Sequence, residues 1–201
     1  MDILEQALTS RRAVIRKNVK RNDKAYAGSL EIATIELERL VDMYNNTVFE
    51  DDIRARFLRD DMEFWIRRYQ KYAVQGKIKS HYHQRGVSLS AKDTIFEHVI
   101  PVGEVRDMLI DGTLTINQAL NVPTCRVSRA GNDMLNAKGM HDGNKNPWNF
   151  FKRYKVGMAI VDIIGNTVLP EFETYNGQVI QDLDTWTLRD HYNFFGIVWA
   201  T

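Results

Sequence analysis

Over residues 2–73 apolar positions return at intervals of three and four, the spacing that lines one side of an α-helix. Leu4, Leu8, Ala13, Val14 and Ile15 form a first such side, and Gly28-Ser29 breaks the pattern. A second helix carries Leu30, Ile32, Ile35, Leu37, Leu40, Val41 and Tyr44 to about Asn45. Asn45-Asn46-Thr47 reads as a loop. A third helix, Glu50 to about Ala73, sets Ile53, Phe57, Leu58, Met62, Trp65, Ile66 and Tyr69 on one stripe. Aromatic side chains at that spacing belong to a core, so residues 1–75 read as a helical layer with no chemistry of its own.

The period then changes. Gln75 to Gly86 is basic, bounded by glycines and alternates poorly, as a loop or irregular hairpin does. Thr94-Ile95-Phe96 and Val99-Ile100 flank Glu97-His98 in a run that Pro101 stops, which predicts a short strand. Glu104 to Asn121 is helical in pattern, Val122 to Val127 is a second short strand, and Ser128 is a good N-cap for a further helix. His141 to Pro147 is a polar turn, and Trp148 to Tyr154 is an aromatic segment that packs back. From Val156 the text is β-like at 158–161, 167–169 and 171–175, with Asn176-Gly177 a strong two-residue turn signal. Trp186 to Trp199 is aromatic and either closes the fold or meets a partner. The class is α+β, in three regions: 1–75, 76–155 and a β-rich 156–201.

Composition narrows the setting. At 201 residues, 44% hydrophobic and 26% charged, the chain is long enough to bury a sizeable core. No run approaches the roughly 18 apolar residues of a membrane span, and the start lacks a signal-peptide pattern, so a cytoplasmic protein is expected, in a bacterial or phage-infected cell. The single Cys125 excludes an internal disulfide and a cysteine-rich zinc site. The net charge is +1, but its distribution is uneven. Arg11, Arg12, Arg16, Lys17, Lys20, Arg21 and Lys24 crowd the first helix, and the stretch from Lys71 to Lys92 holds no acid.

Glu97 and His98 are the candidate chemistry. Neighbours on a strand point to opposite faces, so a carboxylate and an imidazole in sequence meet at one target only where the pairing ends or bends. A satisfied structural histidine beside a surface glutamate is the plainer alternative. His81 and His83 would share one side of a strand and suit a transition metal, but a phosphate or base contact through Lys77, Lys79, His81 and Arg85 fits the basic loop better.

The order of elements, acid-His strand, connection, strand, then a helix with Asn132 and Asn136 on one face, resembles the His-Me finger nucleases, also called HNH or ββα-metal endonucleases. Glu97-His98-Val99-Ile100-Pro101 and the tail Pro147-Trp148…Arg153-Tyr154 add to the likeness. The resemblance implies a central ββα-metal motif within 76–155 and hydrolysis of double-stranded DNA, of restriction, homing or phage type. It gives His98 the general base's role and Glu97 and Asn132 one Mg²⁺ or Mn²⁺, with Arg129 and Arg153 joining the nucleic-acid contacts. Asn136 is the competing ligand one turn on, and Asp133 points roughly 100° away. A homodimer follows if both strands are cut. The other class consistent with the sequence is a non-catalytic nucleic-acid-binding or assembly protein.

Overall fold

The computed structural model describes residues 29–50, 52–73, 80–88, 90, 92–140 and 147–198. The expected first helix with its cationic cluster, and the turn at 141–146, lie outside them. The chain forms two compact units, and neither is continuous in sequence: one takes residues up to Ala73 together with Val102–Leu120, the other Val74–Pro101 together with Asn121–Trp199.

The helical unit contains α1 (Leu30–Asn45), α2 (Asp52–Ala73), α3 (Val102–Ile110) and α4 (Ile116–Leu120). Ser29, in the break expected at Gly28-Ser29, caps α1 by accepting the Ile32 N–H. The buried stripe of α1 is Ala33, Leu37 and Leu40, and that of α2 is Ala55, Leu58, Met62, Trp65, Ile66 and Tyr69. Ile35 and Ile53, expected on those stripes, face outward. Each lies two residues before a buried position, so the three-and-four rhythm turns it away. Val102, Val105, Met108 and Leu109 of α3 complete this core. Arg106 pairs with Glu63 at 2.5 Å across α2 and α3. The long helical stretch expected from Glu104 to Asn121 is therefore two helices. The break falls at Asp111-Gly112, where Gly112 takes a positive φ of 79°.

The second unit is built on a four-stranded sheet. Its strands are β1 (Tyr82–Gln84), β2 (Thr94–His98), β3 (Thr124–Ser128) and β6 (Phe172–Thr174), in the order β2-β3-β1-β6. β1 and β3 run parallel, and the other pairs are antiparallel. Register assigns the faces: Ile95, Glu97, Cys125, Val127, Tyr82, Gln84, Phe172 and Thr174 share one, while Thr94, Phe96, His98, Arg126, His83 and Glu173 share the other. α5 (Arg129–Ala137) starts directly off β3, with the Ser128 hydroxyl accepting the Gly131 N–H. A 3₁₀ turn (Pro147–Asn149) and α6 (Lys152–Gly157) follow. The expected aromatic packing is present: Phe151 lies against Tyr82 and Phe172, and Tyr154 against Phe172.

β4 (Ile160–Val161) and β5 (Thr167–Val168) form a separate two-stranded hairpin. The turn expected at Asn176-Gly177 is present, with Gly177 at φ 90°, but its return strand is reduced to one bridge, Glu173 to Val179. The last element, α7 (Leu188–Phe195), opens on a Thr187/Asp190 capping box and ends at a left-handed Gly196. It closes onto β1 within this unit, the first of the two roles expected for the aromatic tail. Among the described residues no helix is long and apolar enough to cross a membrane.

Candidate functional site

Glu97 sits on the sheet face covered by α6, and consecutive residues of that helix take both of its oxygens. Arg153 Nη2 lies 2.5 Å from Oε1, and the Tyr154 hydroxyl donates to Oε2 at 2.8 Å. Arg153 also donates to the Tyr154 oxygen at 2.9 Å, which closes a three-membered ring of polar contacts. The Arg153 side chain is 2% exposed and that of Glu97 13%. Burial alone would lower the Arg153 pKa, but Tyr154 and Glu97 outweigh it and raise the value, while burial pushes the Tyr154 phenol well up. The guanidinium is a fixed cation and the phenol a fixed donor, so the group is a closed charge pair inside the unit.

His98 points the other way. Its ring meets Phe96 edge-on at 5.3 Å, on the opposite face from Glu97. Convergence of Glu97 and His98 requires the ladder to end there, and it does not: His98 is still in register with Thr124, and the Val99 N–H reaches Pro123 O at 3.1 Å. Asn132 stands in the first turn of α5. That helix begins beside Thr94, about 10 Å along β2 from Glu97 at roughly 3.4 Å per residue. Glu97 and His98 stand on opposite faces of the sheet and do not meet at one point. The fit to Mg²⁺ or Mn²⁺ fails on the same grounds, since the one carboxylate expected to bind it already carries an arginine and a phenol. Among the described residues no group of three or more His, Cys, Asp or Glu could hold a metal ion.

The expected nucleic-acid contacts are dispersed. Arg153 is buried on Glu97, which removes it from any surface role. Arg85 is exposed but pairs with Glu171 at 2.6 Å and Glu173 at 3.7 Å, and Arg129 donates to Lys92 O at 2.6 Å. Lys77 and Lys79 lie outside the described residues. His81 and His83 do not share a ligand. His83 Nε2 meets Glu173 at 2.6 Å, whereas His81 Nδ1 accepts the Thr124 N–H and lies 2.9 Å from its hydroxyl. Burial, then the neighbouring His191, lowers the His81 pKa well below its ordinary value.

Two features lie apart from the expected site residues. The first is a buried relay: Trp186 Nε1 donates to the Tyr82 oxygen at 3.0 Å, the Tyr82 hydroxyl to His191 Nδ1 at 2.8 Å, and His191 Nε2 to Asn121 O at 2.8 Å. Every member is satisfied, and burial pulls the His191 pKa down to about 3, so the imidazole stays neutral. Its partners are too distant in sequence for any local signal to join them.

The second is the β4–β5 hairpin. Asp162 organises its tip by accepting the Ile164 N–H at 3.0 Å and the Asn166 N–H at 2.8 Å, and Gly165 turns the chain at φ 90°. This ordered tip presents Ile163 at 103% and Ile164 at 77% exposure, with Val161 at 70% behind them. Lys138 ties down the base by donating to Val156 O and Ala159 O. Beside the hairpin lies an open cavity of about 660 Å³, its apolar wall made by Met134, Met158, Ile160, Val168 and Leu169. The β-like stretches at 158–161 and 167–169 are legible in the sequence, but their exposure is not, because a half-buried strand gives the same letters.

Known protein families, characterised proteins and solved structures offer no match to this chain.

Proposed function

We propose that this chain is a non-catalytic interaction protein that works by docking another protein surface on the β4–β5 hairpin. One observation carries the reading: an ordered hairpin that holds large apolar side chains in water. Soluble monomers seldom keep contiguous apolar surface of this kind unless it is used. Free strand edges are ordinarily guarded by charge, whereas Ala159 to Pro170 contains one charged residue, Asp162, and that carboxylate is turned back on its own loop. The test is a photo-crosslinking side chain placed at Ile163 and, as a control, at exposed Lys152, with the protein probed both purified and in cell extract. Adducts from position 163 and none from 152 are expected. No adduct from 163 in either setting would remove the reading.

A second reading, metal-dependent cleavage of double-stranded DNA, is favoured by one observation: an antiparallel β2–β3 pair runs straight into α5, with His98 ending β2. The surroundings of Glu97 do not fit the divalent ion, so no metal step is derived. A plasmid-nicking assay with Mg²⁺, and again with EDTA, decides it. The interaction reading expects no cleavage beyond that of His98→Ala, and metal-dependent nicking lost in that variant would reverse the choice.

A further inference from the structure

The hairpin supplies both halves of a contact. Its tip is an apolar projection, Ile163 and Ile164, and its flank is an apolar recess walled by Met134, Met158, Val168 and Leu169. Projection and recess belong to the same compact unit. A two-fold axis beside the hairpin would therefore set each tip into the other copy's recess, the self-complementary arrangement that closed dimers require. Resting on the interaction reading, we infer that the occupant of this surface is a second copy of the chain, with the two β4–β5 hairpins exchanged reciprocally.

The area agrees with that occupant. Val156, Ile160, Ile163, Ile164, Val168 and Leu169 are between 42% and 103% exposed, together about three and a half full apolar side chains per copy; Val161 alternates to the other face of the ladder and is not counted. A fully buried side chain of this class corresponds to roughly 60–120 Å² at about 25 cal/mol per Å². The apolar contribution is then roughly 330 Å² per copy, and at an apolar fraction of about 60% the face approaches roughly 550 Å². Two such faces bury about 1,100 Å², above the ~1,000 Å² that a specific contact needs and at the small end of the size range, where association is weak and reversible. The tip is ordered before contact by Asp162 and Gly165, so little loop entropy opposes docking. The neighbouring cations Lys138 and Lys155 are engaged within their own protomer, on Val156 O and Ala159 O and on Asp184. Arg85 and Glu171, which also line the recess, are paired with each other at 2.6 Å, so these charges meet the partner already engaged.

Sedimentation equilibrium of the purified full chain, from low micromolar to the highest attainable concentration, tests the inference. The wild type is expected to dimerise, and Ile163→Asp/Ile164→Asp to raise the dissociation constant by about 100-fold or more, with a melting temperature equal to that of the wild type at concentrations where both are monomeric, because both side chains are exposed in the protomer. Should that variant fold poorly, Ile160→Lys on the recess-lining face serves in its place. A pair of cysteines, Ile163→Cys with Met134→Cys, is expected to give a covalent dimer on non-reducing gels. A monomeric wild type overturns the second-copy inference, and if crosslinks from position 163 then reach a different protein, the interaction reading survives without it. A dimer indifferent to the aspartates, or a cysteine pair that closes only within one chain, overturns the hairpin exchange.

Discussion

Removing the Glu97 carboxylate tests whether it is a structural partner or a functional ligand. In Glu97→Ala the Arg153 guanidinium, 2% exposed, stays in place with Tyr154 as its remaining partner in that ring. Breaking a buried pair by deleting one member typically costs about 3–5 kcal/mol, since the other charge is left uncompensated. For a chain of this size each kcal/mol lowers the melting temperature by about 2–4 °C, so a drop of roughly 6–20 °C is expected. Glu97→Met combined with Arg153→Met removes both charges together and should recover most of that loss, because replacing the whole pair by apolar volume is often near neutral. Thermal and urea unfolding, each run in chelator and in Mg²⁺, measure this directly. An ion held by Glu97 would stabilise the wild type in Mg²⁺ by mass action, and the charge-pair account expects no such shift. A loss below about 1 kcal/mol in Glu97→Ala, additive single and double effects, or Mg²⁺ stabilisation that vanishes in the variant would each refute the reasoning.

Three further outcomes are expected. Because His191 falls from 6.5 to about 3 on folding, the unfolded chain binds the extra proton between those values; stability should fall as pH drops from 6.5 towards 3, and the gap between wild type and His191→Gln should narrow over that window in urea titrations at stepped pH. Gly157→Ala drives a methyl into Leu135 and close to Met140 Sδ where α5 meets α6, so it should cost about 1–3 kcal/mol of overpacking, read from denaturant midpoints. Asp162 has its pKa lowered chiefly by the Asn166 backbone N–H. The ordered tip should thus persist above the ordinary aspartate range and loosen as pH falls through the depressed value, and Asp162→Ala should speed amide exchange at Ile164 and Asn166 even at neutral pH.

Much of the framework was written locally. Ser128 caps the helix that its position announces, the break at Gly28-Ser29 precedes α1, and the strands around Glu97 and Cys125 form and pair. These depend on spacing and capping, which a single chain displays. The partner of Glu97 was not legible, because 56 positions separate it from Arg153 and only the packing of α6 on the sheet joins them. The tail containing Arg153 and Tyr154 stands out in the sequence, yet nothing local places its cation inside the fold. Periodicity reports which side a residue occupies and not whether anything covers that side. For the same reason the hairpin at 160–168 reads as an ordinary half-buried pair, and its exposure is visible only once the fold is closed.

The path of the chain through the two units also constrains its birth on the ribosome. Val99 and Pro123 are hydrogen bonded across the stem from which Val102–Leu120 departs and to which it returns. The helical unit cannot complete its core until residue 120 has emerged, by which time β2 has been made and awaits β3. Synthesis must therefore hold one half-built core open while it starts another. A fragment ending near residue 75 would lack the buried face of α3, whereas replacing 102–120 by a short turn leaves the β2–β3 stem intact, so the sheet unit is the half better suited to being expressed alone.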